Sequence, residues 1–467
     1  MFPRKALINI IYITLILGFI IGSLVPILLF NDGNKNFAVA LCIINFIILI
    51  TPMFNNILKG KFDAFEPIYF IIGAYLLYFV VFPLYTIYQK QYSFLGLDLR
   101  NDFYLGVISS IIAILSIYIG YYNPLVKRIG LSIPSLQLDN KRIKILSMCF
   151  SIITLCTFVS WIVLSGVPLS RFFLPGLISG YISTGNSDYI GESYNFLYSF
   201  IEWTIPTSIL GYIYFKNKKI SMAIILLLLI IFSSIGFRFR VIILVISFFY
   251  IYQKIIKKNN TSTVNRKLVF FSLILVFLVG WIGANRTSFR GFTQGEIDNS
   301  ISTTLDTFMS SLNLFTPLVA VIKRVPDIYG YAYFEPLLYI LIRFIPREIW
   351  PTKPSPDFLN KIPLSINTME GFTAGAAVPH FGEYYIAFGY GGIVIGCIIF
   401  GMFSRFLLEF KNANKENNVV LIFYIVSLAH LIQMISRGYA AQTVQEYIYL
   451  IFPLITIMIF SQKRVKK

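Results

Sequence analysis

The chain has few charged residues. Asp, Glu, Lys and Arg make up 13% of its 467 residues, against about 25% in soluble domains. Hydrophobic residues make up 57%, and apolar runs long enough to cross a hydrocarbon core, about 20 residues each, recur along the whole length. These features exclude a soluble multidomain protein. The first run, residues 7–30, is too long for a signal-peptide core and is predicted to be a retained span.

Cysteine and histidine are also scarce. The four cysteines all fall within apolar runs: Cys42, Cys149, Cys156 and Cys397. We expect them to be buried thiols that act as small hydrophobic side chains, with neither a disulfide framework nor a zinc site. Of the two histidines, His430 lies inside an apolar run and is predicted to be a hydrogen-bonded packing residue.

Motifs for nucleotides and metals are missing as well. The sequence contains no Walker pattern, no dinucleotide-binding glycine pattern and no Asp-x-Asp. Glu296 and Asp298 form one close acidic pair, which without further ligands is weak support for Mg²⁺ or Mn²⁺. No Ser-His-Asp or Cys-His arrangement follows from the spacing. We therefore expect no metal and no cofactor.

The apolar runs predict an all-α polytopic membrane protein with about 12 transmembrane helices. The predicted spans are residues 7–30, 37–58, 66–89, 103–123, 143–166, 196–215, 219–236, 239–256, 267–284, 383–408, 419–436 and 444–461. They divide the chain into an N-terminal bundle of about nine spans (1–284), a large external loop (285–382) and about three C-terminal spans (383–467). Within the loop, residues 301–322 and 336–345 are predicted to form short interfacial or cavity-lining helices.

The net charge of +18 comes from short basic clusters between apolar runs, which is the pattern of the positive-inside rule and not of a nucleic-acid-binding surface. Placing both termini in the cytoplasm puts most of the basic residues inside. Lysine predominates there, whereas arginine predominates outside. Because a guanidinium binds phosphate in a bidentate way, the outer face is predicted to bind anionic groups. The alternatives are that the asymmetry reflects the small number of residues, or that these arginines anchor the protein to lipid headgroups.

The densest outer cluster runs from residue 343 to 354. If this segment is helical, Arg343 and Arg347 share one face, although Pro346 between them can kink or end the helix. Trp350 and the neighbouring prolines then form a stiff turn at the interface. The cluster is predicted to bind anionic groups; the alternative is a surface helix that is anchored to lipid phosphates.

A second cluster pairs His380 with Glu383 at the outer mouth of a span. At three residues' spacing the two side chains share a helix face. Either group is able to take a proton from a sugar hydroxyl, and Glu383 is the preferred base. In the alternative, His380 caps the helix and Glu383 pairs with an arginine. Gly392 and Gly396 nearby are predicted to allow close helix packing.

A third cluster contains Arg286 and Arg290, whose four-residue spacing suits a diphosphate. Arg238, Arg240 and Arg437 lie at other predicted outer span ends and are candidates for the same basic pocket. For each of these single residues, anchoring to headgroups is the alternative.

Aromatic and acidic side chains near the clusters are predicted to contact the sugar. They are Trp350, Tyr384, Tyr385 and Glu446.

At these residues the chain resembles the Wzy-type polymerases of O-antigen and related polysaccharide repeat units. The motifs that carry the likeness are residues 343–354, Gly382-Glu383-Tyr384, Phe388-Gly389 and Gly391, together with the Arg286/Arg290 loop. Over the first 280 or so residues the likeness is one of hydropathy and topology. The resemblance implies a GT-C-like membrane plan.

The resemblance also implies an activity. Such polymerases join oligosaccharide units carried on undecaprenyl diphosphate at the outer face of the cytoplasmic (inner) membrane. The reaction is regarded as metal-independent, with arginines in the place of a cation, which points here to Arg286, Arg290, Arg343 and Arg347. The implied partners are the lipid-linked oligosaccharide, membrane lipid, a chain-length regulator and a flippase.

Two other functions stay open on the sequence alone. One is an oligosaccharide ligase, which uses the same donor with a different acceptor. The other is a flippase or transporter for the lipid-linked sugar, which would be expected to carry charges in mid-span and to show repeat symmetry. Here the predicted spans are largely free of charge and the arginines gather at one face.

Overall fold

The computed structural model describes residues 33–60, 62–165, 199–215, 217–235, 238–256, 306, 308–345, 349–354 and 377–463. Within these ranges the regular structure is almost entirely helical. The helices are α1 (Gly33–Leu58), α2 (Pro67–Gln89), α3 (Phe103–Tyr121), α4 (Pro124–Leu131), α5 (Asn140–Ser165), α6 (Thr204–Tyr214), α7 (Lys218–Ile235), α8 (Arg238–Ile251), α9 (Phe315–Arg324), α10 (Glu335–Ile342), α11 (His380–Ala413), α12 (Asn418–Ser436) and α13 (Ala440–Phe460).

Short elements interrupt this series. A two-stranded antiparallel hairpin, β1 (Ser93–Phe94) and β2 (Leu97–Asp98), connects α2 to α3 and pairs Ser93 with Asp98. A 3₁₀ turn, Phe200–Trp203, precedes α6. The hairpin is a short connection, since only a few residues separate it from the end of α2 and from the start of α3.

Seven helices in the described ranges are long and apolar enough to cross a membrane. They are Phe37–Leu58, Pro67–Gln89, Phe103–Tyr121, Asn140–Leu164, His380–Ala413, Asn418–Ser436 and Ala440–Phe460. Each coincides with one predicted span to within a few residues. The all-α, polytopic membrane architecture is therefore confirmed.

The other five predicted spans have different outcomes. Residues 7–30 and 267–284 lie outside the described residues. The three runs between 196 and 256 do form helices: α6 contains 11 residues, α7 contains 18, and α8 contains 14 and continues directly into a π-helical turn, Tyr252–Ile256. None of the three is among the seven described helices that are long and apolar enough to cross a membrane. The total of 12 spans stays a prediction.

The described residues belong to two compact units. The first unit comprises the described residues within Met1–Val126, Leu312–Phe406 and Met434–Gln442. Its helices α3 and α11 approach through glycines, since Gly120 lies against the Ile398 carbonyl and Gly401 against the Ile117 carbonyl. Such positions let two helix backbones come together in a membrane.

Helix α9 is part of the interior of the first unit. Phe315 packs on Phe103 of α3, with ring centroids 4.7 Å apart, and residues 315–322 are all buried. Lys323 at the end of α9 binds Asp102 at 2.7 Å. The predicted interfacial segment 301–322 thus ends in a helix that is packed against protein, because its apolar side chains find partners on α3.

Helix α11 is broken near its start. Phe388 (φ −141°, ψ 22°) and Gly389 (φ 62°, ψ −147°) leave helical geometry, and the conformation of Gly389 is strained for any residue with a side chain. The amides of Ala332 and Tyr333 donate to the carbonyls of Ile386 and Ala387 at 2.9 and 3.0 Å. The break therefore separates a short segment, 380–387, from the long membrane helix that follows.

The predicted packing glycines lie beside this break. Gly392 is against the carbonyl of Tyr384, and Gly396 is against the Tyr384 ring. They do allow close packing, but between the two segments of α11.

The second unit comprises Lys127–Ser311, Leu407–Gln433 and Thr443–Lys467. Its centre contains Trp203, which stacks on Phe452 at 5.3 Å between ring centroids. His430 is buried, and its Nε2 donates to the Thr443 carbonyl at 3.2 Å. This confirms the predicted packing role of His430.

An ion pair is buried in the second unit. Arg240 at the start of α8 donates through Nε to Glu202 Oε1 at 2.7 Å, and through Nη2 to the same oxygen at 2.5 Å. Arg240 and Glu202 are only 4% and 2% exposed. Because a buried charge is costly without its partner, this pair ties α8 to the turn before α6.

The cysteines divide into two groups. Cys42 and Cys397 are buried, as predicted, whereas Cys149 and Cys156 on α5 are exposed. The prediction of burial is wrong for these two because an apolar side chain of a membrane helix is also stable on a surface that faces lipid.

The buried ion pair predicts the effect of Arg240→Ala. The substitution leaves the buried Glu202 carboxylate without its guanidinium, which costs about 3–5 kcal/mol. A thermal melt of the detergent-purified variant should show a large loss of stability. Arg142→Ala is the control, because Arg142 pairs with Asp139 at 3.9 Å on the surface, where a pair contributes about 0–1 kcal/mol. Equal melting curves for the two variants would contradict the structural role.

Candidate active site

Glu383 is the centre of the candidate site. It lies in the first turn of α11, where the positive end of the helix dipole favours a negative charge. Its side chain is 2% exposed. Oε2 accepts a hydrogen bond from the Ala440 amide at 2.7 Å, and Oε1 is buried with no hydrogen-bond partner among the described residues. A buried carboxylate oxygen without a donor is costly and marks a place where another group is expected to bind.

His380 begins the same short segment. Its Nε2 lies 3.0 Å from the Tyr75 hydroxyl of α2, and its ring packs against Phe400 at 4.8 Å between centroids. Nδ1 is buried and has no hydrogen-bond partner in the described part of the chain. One ring nitrogen of His380 thus has a hydrogen-bond partner on α2, and the other has none among the described residues.

Residues 437–440 connect α12 to α13 and reach the candidate site; we call them the connector. The amide of Gly438 donates to the Val378 carbonyl, two residues before α11. A Cβ at Gly438 would lie 2.8 Å from that carbonyl oxygen and closer still to the carbonyl oxygen of Pro379. Glycine is therefore required here by space.

Arg343 also contacts the connector. It follows the last residue of α10, and its Nη1 donates to the Tyr439 hydroxyl at 3.1 Å. Its Cζ lies 5.2 Å from the centroid of the Tyr439 ring, within the range of a cation–π interaction. Burial raises the pKa of Tyr439, and the nearby Arg343 guanidinium opposes that shift. Tyr439 therefore stays a neutral hydrogen-bonding group beside the cation.

The segment after Arg343 is a turn. Lys353 Nζ donates to the carbonyls of Arg343 and Ile345 at 3.2 and 2.8 Å, and the Trp350 indole donates to Thr352 at 3.1 Å. The stiff turn predicted after Pro346 is present in the part that the structure describes. Arg343 itself lies just beyond α10, and because Arg347 lies outside the described residues, the helical face shared by the two arginines stays a prediction.

Several predicted ligands lie outside the described residues or side chains. They are Arg286, Arg290 and Arg347, and also the side chain of Arg238, whose backbone begins α8. Arg437 is half-buried in the connector, directly before Gly438. Arg240 belongs to the second unit, where Glu202 already holds its guanidinium.

The residues predicted to contact the sugar differ in their burial and in their hydrogen bonds. Tyr385 is buried and its hydroxyl donates to the Val325 carbonyl at 3.1 Å, so this hydroxyl is already used. Tyr384 and Trp350 are half-buried. Glu446 is half-buried in the second unit.

Three residues of this region were missed by sequence reasoning. They are Tyr75, Gly438 and Tyr439. Tyr75 sits in an apolar run and gives no sequence signal. The Gly-Tyr-Ala sequence between two spans is a signal that could have been used, because a glycine beside a buried helix start indicates a close approach of two backbones.

The arrangement places a buried carboxyl group and a guanidinium in the same unit. Glu383 offers an oxygen able to accept a proton, and Arg343 offers a guanidinium held by an aromatic residue. Among the described residues, no group of three His, Cys, Asp or Glu side chains is placed to hold a metal ion.

Comparison with known proteins gives one result. The chain has no significant match among curated proteins or among solved structures. A family model described as O-antigen polysaccharide polymerase Wzy matches residues 7–467, which extends the likeness from the C-terminal motifs to nearly the whole chain. The chain therefore belongs to the O-antigen polysaccharide polymerase Wzy family.

Proposed function

We propose that this membrane polysaccharide polymerase joins repeat units carried on undecaprenyl diphosphate at the outer face of the cytoplasmic membrane. It transfers the growing chain from its lipid diphosphate onto the non-reducing end of an incoming unit. The observation that carries the proposal is the buried Glu383 carboxylate, with Oε2 fixed by the Ala440 amide and Oε1 without a partner among the described residues.

Glu383 acts as the general base. The acceptor hydroxyl oxygen bonds to the anomeric carbon of the donor, the bond from that carbon to the phosphate oxygen breaks, and the hydroxyl proton moves to Glu383 Oε1. The anomeric carbon becomes oxocarbenium-like on the way, as in other glycosyl transfers. Burial keeps bulk water away from Oε1. His380 is the second choice for this role.

Arg343 binds the departing diphosphate. Negative charge concentrates on that group as the bond breaks, and donors that are already oriented towards it lower the barrier. Tyr439 orients the Arg343 guanidinium through a hydrogen bond and a ring contact. We include Arg286, Arg290, Arg347 and Arg437 in the same pocket and propose that these cations make the reaction metal-independent.

The remaining assignments follow from the same reaction. Trp350 and Tyr384 contact the sugar, and Tyr385 contributes its ring because its hydroxyl binds Val325. Both termini lie in the cytoplasm. A chain-length regulator and a flippase act beside the polymerase.

Glu383→Gln tests the base. Glutamine keeps an oxygen for the Ala440 amide but cannot take up the proton, so turnover should fall about 10²- to 10⁴-fold. The measurement is the rate of chain extension by purified enzyme on synthetic lipid-linked units. Glu335→Gln, in the first turn of α10, is the control and should retain activity. Unimpaired turnover of Glu383→Gln would remove it as the base.

Arg343→Ala and Arg290→Ala test the diphosphate site. Loss of one preorganised donor should reduce chain extension about 10²- to 10³-fold, while protein level holds. In cells, single repeat units should remain on the final acceptor, whereas loss of a flippase would remove all surface sugar. Arg100→Ala is the control, since Arg100 is exposed beside the hairpin of the same unit. Wild-type chain length in both mutants would count against the phosphate role.

A further inference from the structure

Three consecutive residues of the connector contact three different parts of the first unit. Gly438 binds the segment before α11 through the Val378 carbonyl. Tyr439 binds Arg343, and Ala440 binds Glu383. Each of these contacts is made at hydrogen-bond distance in a buried or half-buried place.

Gly438 fixes the position of the connector. Its amide donates a hydrogen bond to the Val378 carbonyl, and it approaches the Pro379 carbonyl so closely that there is no room for a side chain. The segment that carries His380 and Glu383 begins at the next residue after Pro379. The connector is therefore held directly against the start of α11.

Tyr439 holds Arg343 in two ways. The hydroxyl accepts from Nη1 at 3.1 Å, and the ring lies 5.2 Å from the guanidinium carbon. Tyr339 of α10 stacks on the Tyr439 ring with centroids 6.2 Å apart and planes at 20°. The ring is thus itself supported, and it restricts the direction in which the guanidinium points.

Ala440 holds Glu383 through its backbone amide. Ala440 is the first residue of α13, and the first amides of a helix lack partners within the helix. The positive end of the α13 dipole adds to the attraction for a carboxylate. The hydrogen bond of 2.7 Å fixes Oε2 and so determines where Oε1 points.

We propose that the connector is the positioning element of the active site, in which Tyr439 and Ala440 set the placement of Arg343 relative to Glu383. Cα atoms of adjacent residues are about 3.8 Å apart, so a displacement of the connector backbone moves both contacts. The proposal rests on the proposed roles of Arg343 and Glu383. It adds that Tyr439 and Ala440 are positioning residues for the diphosphate and the base respectively.

The Tyr439→Phe variant tests whether Tyr439 positions Arg343. It removes the hydroxyl but keeps the ring, and the KM for the lipid diphosphate donor should rise about tenfold, as for loss of a hydrogen bond to a charged group. In an Arg343→Lys background, which keeps the positive charge, the same change should have little further effect. Tyr447→Phe on α13 is the matched control, because it also removes a buried hydroxyl contact, here to Ser427 at 2.8 Å.

The Ala440→Pro variant tests whether the Ala440 amide positions Glu383. Proline removes the amide hydrogen and is tolerated at the first position of a helix. The kcat should fall at least about tenfold, with the donor KM unchanged, because the base loses its orientation while Arg343 keeps its partner. Ala440→Gly retains the amide and should retain kcat. Thermal melts of all variants establish that they are folded.

The outcomes distinguish a failure of the positioning role from a failure of the proposed function. Equal losses from Tyr439→Phe in the wild-type and Arg343→Lys backgrounds, or equal kcat for Ala440→Pro and Ala440→Gly, would overturn the positioning role. If Ala440→Pro does not fold, the Tyr439→Phe comparison alone decides. Full activity of Arg343→Ala and Glu383→Gln would instead overturn the proposed function itself.

Discussion

The hydrogen bond from the Ala440 amide to Glu383 joins the beginnings of two helices around one buried carboxylate. Glu383 lies in the first turn of α11, and Ala440 opens α13. Both helix dipoles therefore favour negative charge at the same place. This compensates part of the cost of burying the carboxylate and leaves Oε1 available for a proton. Together with the hydrogen bond from Gly438 to Val378, this contact holds the connector against the start of α11.

Two glycines make the geometry possible. Gly389 takes a conformation that ends the short segment 380–387, and the amides of residues 332 and 333 complete the hydrogen bonds of its last carbonyls. Gly438 brings the connector against the chain just before His380. Without the break at Phe388 and Gly389, residues 380–387 would continue directly into the long membrane helix. The site thus uses irregular backbone that is packed in protein, which is where a membrane protein tolerates it.

Much of the architecture could be predicted from the sequence. Apolar runs of membrane length predicted seven segments that the structure shows as helices long and apolar enough to cross a membrane. Residue type and spacing also singled out His380 and Glu383 as candidate site residues. The break at Gly389 was not predicted, because hydropathy does not report φ and ψ. Tyr75 and Tyr439 were missed because their roles depend on contacts between residues far apart in the chain. The pairing of Arg240 with Glu202 was missed for the same reason, and it shows that an arginine at a predicted outer span end can be held by protein.

An experimental structure with a lipid-linked repeat unit and an acceptor bound would test the central claim most directly. The account predicts the diphosphate within about 3 Å of the Arg343 guanidinium, with the acceptor hydroxyl at the same range from Glu383 Oε1. A diphosphate bound away from Arg343, with Oε1 of Glu383 contacted only by protein, would contradict it.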